Sequence, residues 1–292
     1  MEKIVFECET ITPMFIAGAD STTPELRAPS IKGAMRFWWR AVNGHLSVED
    51  LRTREAEIFG GSGDGQGRSK VIVRVENRTL NSSDISEQKP VPHKGFKINA
   101  INTGKIFNVE LCLIKSKILY NNQEIFDLEK LKSLFILVSI LGGIGKRERR
   151  GFGSFKINSI SINDKNIENL IFSAQNLLGL LNKFENGGYV LDTQNNNKIV
   201  LIYDRNYNYP YIKFIEIGQN NNNLLLKISN SSHNNNSDYT GYAKREGRFS
   251  SPEYVSIINK ENNNVPIITS LNHNYINLSG TDKSSEFRRD IL

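Results

Sequence analysis

The sequence predicts an α+β protein in which a ferredoxin-like βαββαβ unit is followed by a second, smaller α+β domain with a degenerate form of the same plan. Two observations predict it. Residues 1–160 alternate between strand and helix periodicity in the order βαββαβ. After residue 161 the composition changes, and asparagine runs separate shorter elements. Because 292 residues suffice for two domains, we expect one over 1–160 and another over 161–292.

Each element of the first unit follows from its hydrophobic pattern. Segments in which apolar and polar residues alternate, rich in β-branched side chains, predict strands. Apolar residues three or four positions apart predict helices. The resulting elements are a strand at 3–10, a helix at 30–43, strands at 70–77 and 104–116, a helix at 127–141 and a strand at 154–163.

The second half is less regular. It predicts a helix at 167–184 and strands at 198–204, 224–229 and 252–259, the last opening a hairpin that extends to 272. We interpret the asparagine runs as polar loop residues, because such tracts bury too little apolar area to pack. In the first half, the polar connection 79–94 predicts a flexible surface excursion.

The helix at 30–43 has an unusual polar face. Lys32, Arg36 and Arg40 share it, and no acidic residue occurs from Leu26 to Val48. We therefore expect these cations to be exposed, without salt-bridge partners in their own helix. Trp38 falls on the apolar stripe and belongs in the core. Trp39 lies beside the cations, where it is either a core residue or a platform on which a nucleic acid base stacks.

The segment "LGGIGKRERRGFGSF" at 141–155 combines glycines with four cations in five residues. Glycine permits positive φ and close backbone approach to a ligand, and Arg and Lys bind anions through charge-assisted hydrogen bonds. A dinucleotide-binding GxGxxG would follow a strand and open a helix, whereas this segment follows a predicted helix and opens a strand. The pattern indicates an anion-binding loop, and a surface loop without a ligand is the alternative.

Bulk properties limit the function classes. The formal net charge of +6 favours an anionic partner. Cys8 and Cys112 stand alone in predicted strands, which indicates reduced core thiols of a cytoplasmic protein and no zinc site. No apolar run has the length of a membrane span, and "MEKIVFECET" lacks the apolar core of a signal peptide, so we expect neither membrane insertion nor secretion.

Five segments carry a more specific signal. They are "ITPMFIAGAD", "PELRAPSIKGAMRFWWRA", "GRSKVIVRV", "LGGIGKRERRGFGSF" and, at 247–257, "GRFSSPEYVSI". In this order they resemble the RAMP superfamily of CRISPR systems, and within it the family of subunit one of the type III-B (Cmr) effector complex. The match that contains the first four covers Ile4 to about Ile160. Ala17 stands where that family commonly has glycine, a departure that leaves the resemblance intact.

The resemblance implies a non-enzymatic, ferredoxin-like (RRM-like) scaffold subunit of an RNA-guided antiviral defence complex. It implies contact with guide RNA near its 3′ end, with the paired target RNA, or with both, beside other subunits of the complex. No cofactor, metal or catalytic residue is implied. The RNA-binding residues it predicts are Arg27, Lys32, Arg36, Trp39, Arg40, Gly142, Gly143, Gly145, Lys146, Arg147, Arg149, Arg150, Gly151, Phe152 and Gly153.

Two other functions stay open from the residues. Related RAMP proteins include ribonucleases that use a histidine or a loop aspartate, and His45 and Asp20 are the candidates for those roles here. Neither has a second titratable group close in sequence, so binding is favoured over cleavage. The third possibility is a protein–protein adaptor whose basic surface meets an acidic partner.

Overall fold

The computed structural model describes most of the chain. The described residues are 2–20, 22–63, 66–76, 80–163, 165–168, 171–203, 207–244, 247–261, 263–273 and 278–292. The outer positions 77, 169–170 and 204 of predicted elements, and 262 in the predicted hairpin turn, lie outside them. The described chain folds around two antiparallel five-stranded sheets, which confirms the α+β prediction.

The first sheet has the strand order β2-β5-β1-β8-β9. Its strands are β1 (Lys3–Thr10), β2 (Val71–Glu76), β5 (Ile106–Leu113), β8 (Phe155–Ile162) and β9 (Lys165–Glu168). The four strands predicted from sequence are all present, and all pair antiparallel. Every second residue of β1 is buried, as expected for a strand with one face on the core. The fifth strand β9 extends the sheet beyond the predicted plan.

Three helices accompany this sheet: α1 (Ala28–Val42), α2 (Val48–Phe59) and α3 (Leu128–Leu141). The sequence prediction missed α2, whose Ser47 cap accepts a hydrogen bond from the Asp50 amide. Nine residues of α3 are buried, on all sides of the helix. A helix that is apolar all round belongs inside a protein. Here α3 contacts α1 and the first sheet as well as strands of the second sheet.

Two small hairpins complete the first half. They consist of β3 (Ile85–Gln88) with β4 (Ile98–Ile101), and β6 (Lys117–Tyr120) with β7 (Gln123–Asp127). The first includes the short strand β3 of the connection 79–94, which was predicted as a flexible surface excursion, and a 3-10 turn at Ser82–Asp84 precedes it. Residue 79 of this connection lies outside the described residues. The pairing of β3 with β4 satisfies the hydrogen-bonding groups of both backbones. The polar sequence of this segment gave no reason to predict a strand pair.

The second sheet has the order β10-β11-β12-β16-β15. Its strands are β10 (Tyr189–Leu191), β11 (Lys198–Leu201), β12 (Ile212–Ile217), β15 (Glu253–Lys260) and β16 (Asn263–Leu271); β13 (Tyr242–Lys244) and β14 (Gly247–Phe249) form a separate pair. The hairpin predicted over 252–272 is present as β15 and β16. The helices of this half are α4 (Ala174–Asn182), α5 (Leu224–Asn234) and α6 (Ser284–Ile291).

Two predictions for the second half were wrong. The segment 224–229 is the start of helix α5, because Leu224 and Ile228 lie one turn apart and pack with Phe287 and Ile291 of α6. The helix predicted from residue 167 begins at Ala174, where Ser173 caps it. The division at residue 160 stays a prediction, and the first sheet continues to Glu168.

Both cysteines are buried and free. Among the helices that the structure describes, none has the length and apolar character needed to cross a bilayer.

Candidate nucleic-acid interface

Residues 142–153, which we call the arginine loop, connect α3 to β8 and lie between the two halves of the molecule. The Lys146 amide donates to the Phe15 carbonyl at 2.7 Å, and the Gly151 amide donates to the Val255 carbonyl of β15 at 2.8 Å. The Gly153 amide donates to the Pro13 carbonyl at 3.0 Å. The loop is therefore fixed by main-chain hydrogen bonds to both halves.

The glycines of the arginine loop allow it to pack closely against neighbouring backbone and side chains of the same protein. Gly153 has φ +69°, and a Cβ there would clash with the Ile144 carbonyl oxygen. Gly142 lies so close to the Trp38 indole that a Cβ would overlap its Nε1. Apart from the half-buried Gly145, the predicted RNA-binding glycines are buried, and so is Phe152, which packs against Phe15. These buried positions do not support the prediction that the glycines and Phe152 contact RNA directly, because an RNA strand on the surface cannot reach buried backbone.

Arg150 is used inside the protein. Its guanidinium donates to the Thr240 carbonyl at 2.6 Å and the Glu253 carbonyl at 3.2 Å, and it lies 5.2 Å from the Phe287 ring centre. Burial lowers the pKa of Arg150 to about 10, so it stays charged at neutral pH. Arg150 joins the arginine loop to the second half, and it also lines the open cleft described below.

Arg149 is also engaged. It donates to the Ser251 carbonyl and lies 5.2 Å from the Phe37 ring centre and 5.6 Å from that of Tyr254. Such cation–π contacts hold a guanidinium in place. Arg149 and Arg150 thus have partners inside the protein, and their predicted contact with an anion stays a prediction.

Lys146 and Arg147 are the exposed cations of the loop. Arg147 has φ +62°, a left-handed conformation that is uncommon for a residue with a side chain. It lines an open cleft of about 260 Å³ together with His93 and Lys94 of the 79–94 connection and His233 of α5. We call this group of four residues the cationic cleft.

No acidic residue lines the cationic cleft within the described parts of the chain. Desolvation by its neighbours, followed by the charges of His233, Lys94 and Arg147, lowers the pKa of the exposed His93. A cluster of positive groups without carboxylates favours an anion. Sequence reasoning missed His93, Lys94 and His233, because they come from segments far apart in the chain that only the fold brings together.

The cations of α1 have partners outside their own helix. Arg36 and Arg40 both reach the same Glu55 oxygen, at 2.7 and 2.5 Å, and Lys32 donates to the Val71 carbonyl at 3.0 Å. Glu55 comes from α2, the helix that the sequence did not reveal. Because two half-exposed guanidiniums share one buried carboxylate, this face of α1 keeps a positive charge. The face lies against α2 and β2. The arginine loop meets another side of α1.

Trp39 is a core residue. Its side chain is 2% exposed and packs near Phe59, and its carbonyl accepts from the Asn43 side chain at 2.6 Å. It offers no stacking surface, so its predicted RNA contact is not supported. Trp38 is fully buried, as predicted. Arg27 is half-buried, with its Nε 4.0 Å from Glu25.

The two nuclease candidates lie in different surroundings. His45 Nδ1 is 3.8 Å from the buried Glu185 carboxylate of the second half. The Asp20 carboxylate accepts hydrogen bonds from Thr22 and Thr23 of its own turn, which lowers its pKa. Asp20 thus has the turn-forming role that its loop position suggests. No group of three or more metal-ligating side chains occurs among the described residues.

Comparisons with known proteins agree with one another. Residues 7–156 match the RAMP superfamily. The CRISPR system Cmr subunit Cmr1-2 of Pyrococcus furiosus is 29% identical over 188 residues, which cover 55% of this chain and 97% of that protein. The crystal structure of apo Cmr1 from Pyrococcus furiosus aligns with a TM-score of 0.63 at 18% identity, covering 100% of this chain and 96% of the other.

A third similarity is to a chain in the cryo-EM structure of a type III-B Cmr-beta complex bound to cognate target RNA. The TM-score is 0.64 at 14% identity, and both chains are covered completely. At these identities the two structural matches establish the fold, which extends over both halves of the molecule.

Proposed function

The chain belongs to the RAMP superfamily, and we propose that it is a non-catalytic RNA-binding subunit of a type III-B (Cmr) CRISPR effector complex. In this role it holds guide RNA, target RNA or both near the guide 3′ end, in the cytoplasm and beside other subunits of the complex. The similarity to a Cmr subunit over 97% of that subunit's length supports the assignment to this complex.

The observation that carries RNA binding is the cationic cleft, with the exposed Lys146 next to Arg147 in the chain. Arg147, Lys94, His93 and His233 converge from three segments on one opening without an acidic residue in its described lining. Contacts between cationic side chains and phosphate groups supply most of the affinity of sequence-independent RNA binding. The cationic cleft offers side chains of this kind. An adaptor for an acidic protein would use the same charge, so the test must use RNA.

Salt dependence provides that test. Replacing Lys146 and Arg147 by alanine should reduce the slope of log affinity against log salt by about 1.4, since each lost phosphate contact to a single strand contributes roughly 0.7. The control is the double alanine variant of Arg52 and Lys115, an equal charge change at exposed positions outside the cleft, and its slope should stay nearer the parent's. Equal slopes for the parent and the cleft variant would contradict the proposed contact.

The two histidines of the cationic cleft raise the question of whether the protein cleaves RNA. Two imidazoles across a phosphate could act as general base and acid on RNA. Here the His93 and His233 ring centres are 5.0 Å apart, and His93 Nδ1 is 2.7 Å from the Ser229 hydroxyl. Rings in contact leave no room for a phosphate between them, which supports binding without cleavage. We expect labelled RNA to remain intact with or without divalent metal; cleavage lost in His93→Ala would instead establish a ribonuclease.

A further inference from the structure

Glu148 interrupts the cations of the arginine loop, and phosphate binding gives no reason for it. A carboxylate among phosphate-binding groups repels the ligand. Glu148 is partly buried, and the side chain of Tyr254 hydrogen-bonds to it. Glu148 lines a second opening of about 270 Å³ between α1 and the loop, distinct from the cationic cleft.

The walls of this opening suit a flat, uncharged ring. Its lining includes Ser30, Gly33 and Phe37 of α1, Gly145 and Glu148 of the loop, and Tyr254 of β15. Phe37 is half-buried, with the ring centres of Trp38 and Tyr254 5.3 and 5.9 Å away. The Arg149 guanidinium lies 5.2 Å from the Phe37 ring centre, so a base would stack on the part of the ring that Arg149 leaves open. Aromatic faces are the usual stacking platforms for single-stranded bases. The volume lies just below the roughly 300–1,000 Å³ of sites for drug-sized ligands.

Gly33 keeps one wall open. It lies inside a helix, where glycine costs about 1 kcal/mol relative to alanine. A Cβ at this position would meet nothing within 4 Å, so packing does not require the glycine. A larger side chain there would extend toward the space that the opening occupies.

We propose that this opening is a nucleobase pocket in which Glu148 accepts hydrogen bonds from the Watson–Crick edge of an RNA base. The inference rests on the proposed RNA-binding function and adds a base preference to it. Guanine is the base that presents two adjacent donors, N1–H and the 2-amino group, to the two oxygens of a carboxylate. Lys146 and Arg147 lie between Gly145 and Glu148 in the chain, so a strand whose phosphates they bind passes close to the pocket.

The test is run at pH 8, above the pKa of about 7 to which burial raises Glu148. It compares oligouridines of about 12 nucleotides, a length within the site sizes of single-strand binders, that carry one central guanosine, inosine or uridine. Inosine keeps N1–H and lacks the 2-amino group. The full chain should bind the guanosine strand about tenfold more tightly than the all-uridine strand, the lower end of what a bidentate side chain–base pair contributes. The inosine strand should lie between them.

Two variants locate the effect. Glu148→Gln, in which the amide keeps one acceptor for Tyr254, should reduce the guanosine preference severalfold and leave all-uridine binding unchanged. Gly33→Leu, a change to a good helix former, should abolish the preference by filling the pocket. Thermal unfolding curves of both variants check that they are folded.

The outcomes separate this inference from the proposed function. Equal, salt-dependent binding of the three strands by the parent protein would overturn the base pocket and leave RNA binding standing. A guanosine preference that persists in Glu148→Gln would show that Glu148 does not recognise the base. Failure to bind any strand at low salt would overturn the proposed function itself.

Discussion

Lys146 and Arg147 have the same charge as Arg149 and Arg150 and lie within five residues of them, yet the two pairs have opposite roles. The first pair is exposed, and Arg147 opens onto the cationic cleft. The second pair binds main-chain carbonyls of the second half and lies over aromatic rings. The difference teaches that a run of cations does not reveal its own use, because a guanidinium satisfies carbonyls as readily as phosphates.

The largest effect that follows from this comparison concerns Arg150. Arg150→Ala should destabilise the protein by about 3 kcal/mol, because it leaves the Thr240 and Glu253 carbonyls without their charged donor in a buried site. Denaturant unfolding measures the change. Arg147→Ala, one charge removed from the same loop, is the matched control, and an equal loss in both variants would break the comparison.

The backbone of the loop gives the next effect. Gly153→Ala should destabilise by about 2 kcal/mol, since alanine disfavours a φ of +69° and its Cβ would clash with the Ile144 carbonyl. Gly33→Ala is the control, because a Cβ there meets nothing and a helical alanine is favourable. Thermal unfolding of both variants distinguishes a glycine needed for chain packing from one that is not.

Glu148 gives a pH-dependent effect. Burial raises the pKa of Glu148 from 4.5 to about 7, so the folded state holds this proton at pH values where the unfolded chain has released it. Its contribution to stability is complete below about pH 4.5 and is lost as the pH rises to about 7. The parent should therefore lose on the order of 2 kcal/mol between these limits, relative to Glu148→Gln.

Unfolding free energies at pH 5 and pH 8 test this, with the exposed Glu87→Gln as control. Asp20, Asp84 and Glu124 have lowered pKa values, and their contributions are lost as the pH falls, outside this window. Burial also raises the pKa of Glu253 to about 7, and its contribution cancels because it is present in both the parent and Glu148→Gln. Identical pH profiles for the parent and Glu148→Gln would show that the carboxyl is ionised in the folded protein at pH 5.

The smallest effect on stability belongs to the exposed pair. Replacing Lys146 and Arg147 by alanine should change the free energy of unfolding by no more than about 0.5 kcal/mol, as is usual for surface positions without buried partners. RNA affinity should fall in the same variant. A loss of stability comparable to that of Arg150→Ala would mean that the whole loop is structural.

The sequence by itself determined the four main strands of the first sheet, helices α1 and α3, the hairpin of β15 and β16 and the motifs of the RAMP superfamily. These depend on periodicity and local spacing, which any segment carries in its own residues. Whether the cations are free was decided only by the tertiary structure. Glu55 of α2 pairs with Arg36 and Arg40, and main-chain carbonyls of distant segments engage Arg149 and Arg150. Burial and pairing across the chain depend on which surfaces the folding brings together, and no local pattern contains that information.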